Sequence, residues 1–164
     1  MAKIPEGVNV TVEGHTVTVR GPNGEVQRSF SKRASIAVEG AEVTVSAKDK
    51  GLAGTVESLL SSMMKGVTEG YKKNLKVLYA HFPVSMEVKG KDILIKNFLG
   101  EKQPRKTKIQ GNSKVEVKGQ NVTVSGPSKE DVSQTAASLK AILKIRDKDG
   151  RVFQDGIYEV EEGA

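Results

Sequence analysis

Seven lysines and arginines in two short runs have the clearest chemistry to offer in this chain. The first run, Lys102, Arg105, Lys106 and Lys108, lies within Lys96 to Lys114, a stretch of six basic residues and one acid. The second contains Arg146, Lys148 and Arg151, preceded by Lys140 and Lys144 and set against Asp147 and Asp149. Clustered cations with several donors each neutralise phosphates, so these runs point to a polyanionic partner. The whole chain agrees, with 26 Lys and Arg against 20 Asp and Glu in 164 residues, a net charge of +6. From Val84 to Arg151 there are fifteen basic and eight acidic residues, +7 in net charge, so the basic surface belongs to the second half. Asp155, Glu159, Glu161 and Glu162 follow, an acidic tail expected to face away from a polyanion. Lys140 and Lys144 have a second explanation, because cations near a helix C-terminus interact favourably with its dipole.

Other chemistries find little support. Cysteine is absent, which excludes disulfides and thiolate metal sites. His15 and His81 match no metal-ligand spacing and pair with no nucleophile. Asp147, Asp149 and Asp155 are close together, yet beside Arg and Lys they read as charge balance. Neither a phosphate-binding G-x-x-x-x-G-K-[ST] loop nor a G-x-G-x-x-G turn occurs. The start shows no apolar leader and no stretch is long enough for a membrane span. The expectation is therefore no enzyme, no cofactor, no small-molecule substrate and no membrane. Four Phe and three Tyr are the only aromatics besides histidine. Most fall at apolar-parity positions that suit a core, with Phe98 and Tyr158 as exceptions. Recognition through phosphate backbone and shape is thus expected, rather than base stacking.

The elements that must hold these cations are legible as a repeat. An apolar-x-apolar pair, a Gly and a second such pair recur four times. They read VTVEGHTVTV from Val10, IAVEGAEVTV from Ile36, MEVKGKDILI from Met86 and VEVKGQNVTV from Val115. Period-2 alternation with a central Gly predicts hairpins folded back at Gly14, Gly40, Gly90 and Gly119. The copies pair at offsets of 76 and 79 residues. Each pair leads to a helical run, Leu52 to Met63 and Val132 to Leu143, the second with Ser128 placed to cap it. Glu69-Gly70 and Asp149-Gly150 then precede strand-like runs from Tyr71 and Arg151. This predicts an α+β fold of two tandem duplicated small domains, each a mostly antiparallel sheet packed with one helix. Residues 1–80 form the first domain and 81–164 the second, jointed near Ala80-His81-Phe82-Pro83.

A duplication lets each half serve as the control for the other. The connection between hairpins is Arg20 to Ser35 in the first half, with Gly21-Pro22-Asn23-Gly24 as a plain turn and a charge of +3. Its counterpart, Lys96 to Lys114, is longer, carries +5 and contains Pro104, which opposes regular central-strand pairing. An exposed, partly irregular loop is expected there.

Several segments go further than composition. Tyr79-Ala80-His81-Phe82-Pro83, Asn97-Phe98-Leu99-Gly100-Glu101-Lys102, Val132 to Ala137 and Arg151-Val152-Phe153-Gln154-Asp155-Gly156-Ile157-Tyr158 resemble the universal large-subunit ribosomal protein six. The likeness is to its archaeal and eukaryotic branch and extends over essentially the whole chain. It implies two similar α+β domains and a non-enzymatic, cytoplasmic constituent of the large ribosomal subunit. The implied partners are large-subunit rRNA near the sarcin–ricin loop, neighbouring proteins at the stalk base, and translational GTPases nearby. Carried over by position, Lys96, Lys102, Arg105, Lys106, Lys108, Arg146, Lys148 and Arg151 would neutralise phosphates, with Asn97 and Gln154 hydrogen bonding. Two other readings stay open on the residues alone. One is a free-standing β module that binds a peptide or protein at a sheet edge; the other is a phosphate-handling enzyme using Asp147 or Asp149 with a metal.

Overall fold

The computed structural model describes residues 2–161, in the order β1 Ala2–Lys3, β2 Asn9–Glu13, β3 Thr16–Gly21, β4 Gly24–Ser29, β5 Ala34–Glu39, β6 Glu42–Ala47 and α1 Lys50–Thr68. There follow β7 Tyr71–Leu78, β8 Ser85–Lys89, β9 Asp92–Lys96, β10 Arg105–Lys108, β11 Lys114–Lys118, β12 Asn121–Gly126, α2 Lys129–Ile142 and β13 Gly156–Val160. The four repeated motifs are the hairpins β2–β3, β5–β6, β8–β9 and β11–β12. Each turns in two residues between paired positions, for example Gly90-Lys91 between Lys89 and Asp92. The first turn residue is the glycine, at φ of 64°, 61°, 62° and 60° in the four copies. Positive φ at that position alone is the type II′ arrangement, whose twist suits a hairpin.

The chain divides into two compact units, residues up to 71 with 127–129, and residues 72–126 with 130 onward. In the first, sheets β2-β3-β4 and β1-β6-β5 enclose Val17, Val19 and Val43 against Val56, Leu60 and Val67 of α1. Asp49 caps α1, its Oδ1 accepting from the Gly51 N–H at 2.9 Å. In the second, sheets β8-β9-β10 and β11-β12-β7-β13 contribute Ile93, Ile95, Val122 and Val124 to its core, with Val132, Leu139 and Leu143 from α2 and its end.

Strand pairing draws the repeat in a different frame from the sequence. β1, which precedes the first hairpin, pairs with β6. β7 takes the same position beside β12, with the Val77 N–H donating to the Gln120 carbonyl at 2.7 Å. Thus β7 opens the second unit, where the sequence reading had it closing residues 1–80. β13 then adds an outer antiparallel strand on β7, from Gly156 opposite Leu78 to Val160 opposite Asn74. The sequence of a tandem repeat does not mark its starting point, whereas backbone pairing does.

Candidate nucleic-acid interface

The first basic run is two structures joined by a turn. After β9 the chain makes one 3-10 turn, Phe98–Gly100, with Asn97, Leu99 and Gly100 all left-handed at φ of 61°, 55° and 73°. Asn97 tolerates that conformation, and its Nδ2 donates to the Pro83 carbonyl at 2.9 Å. The tight turn drives Phe98 inward, to 1% exposure, so it is a core residue and not the open aromatic expected. Beyond Pro104, residues 105–108 are a regular strand antiparallel to β9, where an irregular loop was expected. Pro104 directly precedes a strand at the edge of its sheet, where a missing N–H costs no ladder bond.

Strand alternation splits the run onto two faces. Arg105 and Thr107 lie opposite buried Ile95 and Ile93 and turn inward; Lys106 and Lys108, opposite Leu94 and Asp92, are exposed. Lys96 shares their outer face and pairs with Glu87 at 2.8 Å. The Lys96 hydrogen bond and charge hold the Glu87 carboxyl below its ordinary range.

Arg105 is the most heavily engaged of these cations. Its Nε and Nη2 grip the two carboxylate oxygens of Glu101 at 2.8 and 2.6 Å, its Nη1 donates to the Ile142 carbonyl, and its guanidinium lies 4.8 Å over the Phe98 ring. The side chain is only a quarter exposed. Glu101's hydrogen bond raises the Arg105 pKa, and Arg105 in turn lowers that of Glu101. This residue fastens the turn to the end of α2, since a helix leaves its last carbonyls without intrahelical donors.

That fastening sets Arg105 of the first basic run beside the second. A cleft of about 470 Å³ is lined by Leu99, Glu101 and Arg105 on one side and by Ala141, Ile142 and 144–148 on the other. Lys144, Arg146 and Lys148 are exposed along it. Among the described residues, Lys102, Lys106, Lys108, Lys144 and Arg146 make no side-chain hydrogen bond or ion pair. Lys148 meets only the Phe153 ring, 4.9 Å from its centroid. Lys144, just beyond the end of α2, lines the same cleft as Arg146 and Lys148.

The remaining predicted residues hold the 149–154 turn. Arg151 forks onto Asp149, with Nη2 at 2.9 Å and Nε at 3.1 Å, and its backbone N–H donates to Asp149 Oδ1 at 3.0 Å. These bonds depress the Asp149 pKa. Gln154 Nε2 donates to the Arg151 carbonyl at 3.3 Å. Two of the acids beyond are held by partners. Asp155 is buried and accepts from His81, and Glu159 lies between Lys73 and Lys140 at 2.7 and 2.9 Å. Glu162 lies outside the described residues. Tyr79, Phe82 and Tyr158 are more than a third exposed, so core parity misplaced the first two. Among the described residues no group of acids and histidines is arranged to hold a metal.

Comparison with known proteins bears on the whole chain. The model of the family described as Ribosomal protein L6 matches twice, over residues 4–70 and 82–156, in step with the duplication. The large ribosomal subunit protein uL6 of Natronomonas pharaonis is 47% identical over 97% of this chain and 93% of its own length. Those of Methanosarcina mazei and Methanobrevibacter smithii are 45% and 42% identical, each over 98% of this chain and 94% and 93% of their own. Proteins of this family are structural and not catalytic. Matched at both repeats and along nearly its full length, the chain belongs to the ribosomal protein L6 family.

Proposed function

We propose that this protein is a structural constituent of the large ribosomal subunit that grips rRNA through its second unit, near the sarcin–ricin loop. Neighbouring proteins at the stalk base would be its other partners, and translational GTPases would bind close by. The observation that carries the RNA contact is the cleft lined by Lys144, Arg146 and Lys148 of the second basic run and bordered by Arg105 of the first, with Lys144 and Arg146 unpaired among the described residues. Unpaired cations meet phosphates without first breaking an internal pair, and each contact releases counterions. Lys106 and Lys108 extend the same charge to the outer face of β10. Lys96, Arg105 and Arg151, held by Glu87, Glu101 and Asp149, shape the surface more than they neutralise the RNA.

The test is binding to large subunits washed free of this protein, across a salt series. Lys144→Ala with Arg146→Ala should lower the slope of log affinity against log salt by roughly one unit per lost contact. Arg28→Ala with Lys32→Ala, in the first unit, should change it far less. Equal losses from both pairs would refute an interface in the second unit.

A further inference from the structure

His81, Phe153 and Lys148 form a column that the phosphate-binding reading does not use. The His81 ring stacks on Phe153 with centroids 4.2 Å apart and planes 8° from parallel. Its Nδ1 lies 3.2 and 3.3 Å from the two carboxylate oxygens of Asp155, whose side chain is only 3% exposed. That carboxylate also accepts from the Ala80 N–H, so it is anchored from the chain beside His81 itself. Lys148 Nζ lies over the Phe153 ring, and His81 already fills one face, so the ammonium takes the other. One face and one edge of His81 are thus covered, yet 47% of its side chain is exposed. The open portion is the outer face of the imidazole and its Nε2 edge.

A flat ring fixed in orientation before a partner arrives loses little freedom when a second ring stacks on it. Lys148, at the far end of the column, also lines the basic cleft, so the column continues from the proposed RNA contact. We infer that the outer face of His81 is a stacking platform for one unpaired nucleobase of the RNA whose phosphates the cleft holds. The inference rests on the RNA-binding reading and adds a base contact to one otherwise built on backbone and charge. Aromatic faces accept any base, so the platform asks for an unstacked nucleotide and not for a given sequence.

His81→Asn is the informative variant, because the amide Nδ2 can take the place of Nδ1 toward Asp155 while the ring is removed. With the full-length protein and washed large subunits, it should weaken binding roughly five- to hundredfold. The salt slope should stay unchanged, since no phosphate contact is lost. Ultraviolet irradiation of the wild-type complex should leave a nucleotide attached to the peptide containing His81, a readout independent of any variant's folding. His81→Asn binding like wild type, while Lys144→Ala with Arg146→Ala weakens it, would overturn the platform and leave the RNA contact standing. Loss in neither would overturn the RNA contact itself. A His81 cross-link to a neighbouring protein instead of a nucleotide would also overturn the platform.

Discussion

The two units finish their helices at equivalent places by different means. In the first, the turn between β3 and β4 sits directly on the end of α1. The Asn23 N–H donates to the Val67 carbonyl at 2.9 Å and its Nδ2 to the Thr68 carbonyl at 2.8 Å. The approach is so close that a Cβ on Gly21 would lie 2.7 Å from the Val67 oxygen. In the second unit, the corresponding connection between β9 and β10 is longer and reaches α2 through the Arg105 side chain. A neutral turn seals one helix end; an extended arginine holds the other at arm's length. The space so opened is the cleft, and Lys144, Arg146 and Lys148 occupy the chain just beyond α2. In the first unit only Glu69 lies between α1 and β7's preceding glycine, so no segment is left there to carry charge. Divergence within the shared scaffold lies at the helix end and the loop that meets it, and in the added strand β13.

The strongest way to break this comparison is Arg105→Ala. It removes a fork to Glu101, a bond to the Ile142 carbonyl and a cation over Phe98, leaving Glu101 unpaired. Charge-assisted hydrogen bonds are worth about 1.5–3 kcal/mol each, so a loss of about 3 kcal/mol from the second unit is expected. Hydrogen exchange should show it as lost protection in the last turn of α2 and in β10, with α1 unaffected. Arg105→Lys keeps the charge but not the fork, and should recover little of the loss. Full recovery by lysine would mean that the charge alone, and not the guanidinium fork, holds the turn to α2.

The matching change in the first unit is Gly21→Ala. Its new methyl meets the Val67 backbone oxygen, which cannot rotate away, so about 2 kcal/mol of destabilisation is expected. Thermal unfolding with exchange read at the end of α1 measures it. Gly100→Ala, in the second unit's connection, meets the Phe82 ring at 3.3 Å, a side chain that is itself part exposed. Its cost should arise chiefly from the left-handed φ of 73° and not from a backbone clash. If Gly21→Ala were neutral, the tight seal of the first helix would not be what distinguishes the units.

Local pattern made much of this legible before any coordinates. Alternating valines and a turn glycine specify a hairpin within ten residues, and the four copies fold as read, as do both helices. The α+β class follows from them. What the sequence could not order was anything decided by pairing at a distance. β7 looks alike whether it closes one repeat or opens the next. Residues 105–108 looked irregular because Pro104 forbids a central strand, yet an edge strand accepts it. The cations were visible as a set, but not which of them were already spoken for. Arg105 and Glu101 are four residues apart and their pairing was readable in principle; Arg105 with Ile142, or Lys73 and Lys140 with Glu159, was not. His81 and Asp155 lie too far apart in sequence to be read as a pair, and each alone looked incidental.

The smallest expected effect sharpens the comparison through an ion pair for which the first unit supplies no counterpart among the described residues. Glu159 of β13 receives Lys73 of β7 at 2.7 Å and Lys140 of α2 at 2.9 Å, tying the added outer strand to the helix. Hydrogen bonds from Lys73 and then Lys140 lower its pKa from 4.5 to about 2. A carboxyl whose folded pKa is depressed stabilises fully above its unfolded value, and that stability is lost as pH falls through the folded one. The contribution is therefore complete above about pH 4.5 and declines towards pH 2. All three side chains are about a third exposed or more, so solvent screening holds the total to at most about 1 kcal/mol. Glu159→Gln should cost that amount near neutrality and flatten the acid limb of stability against pH between about 4.5 and 2. Raising the salt should shrink the difference between variant and wild type, because the pair is partly open to ions. An acid limb unchanged by Glu159→Gln would mean that β13 is held to the second unit by its backbone ladder on β7 alone.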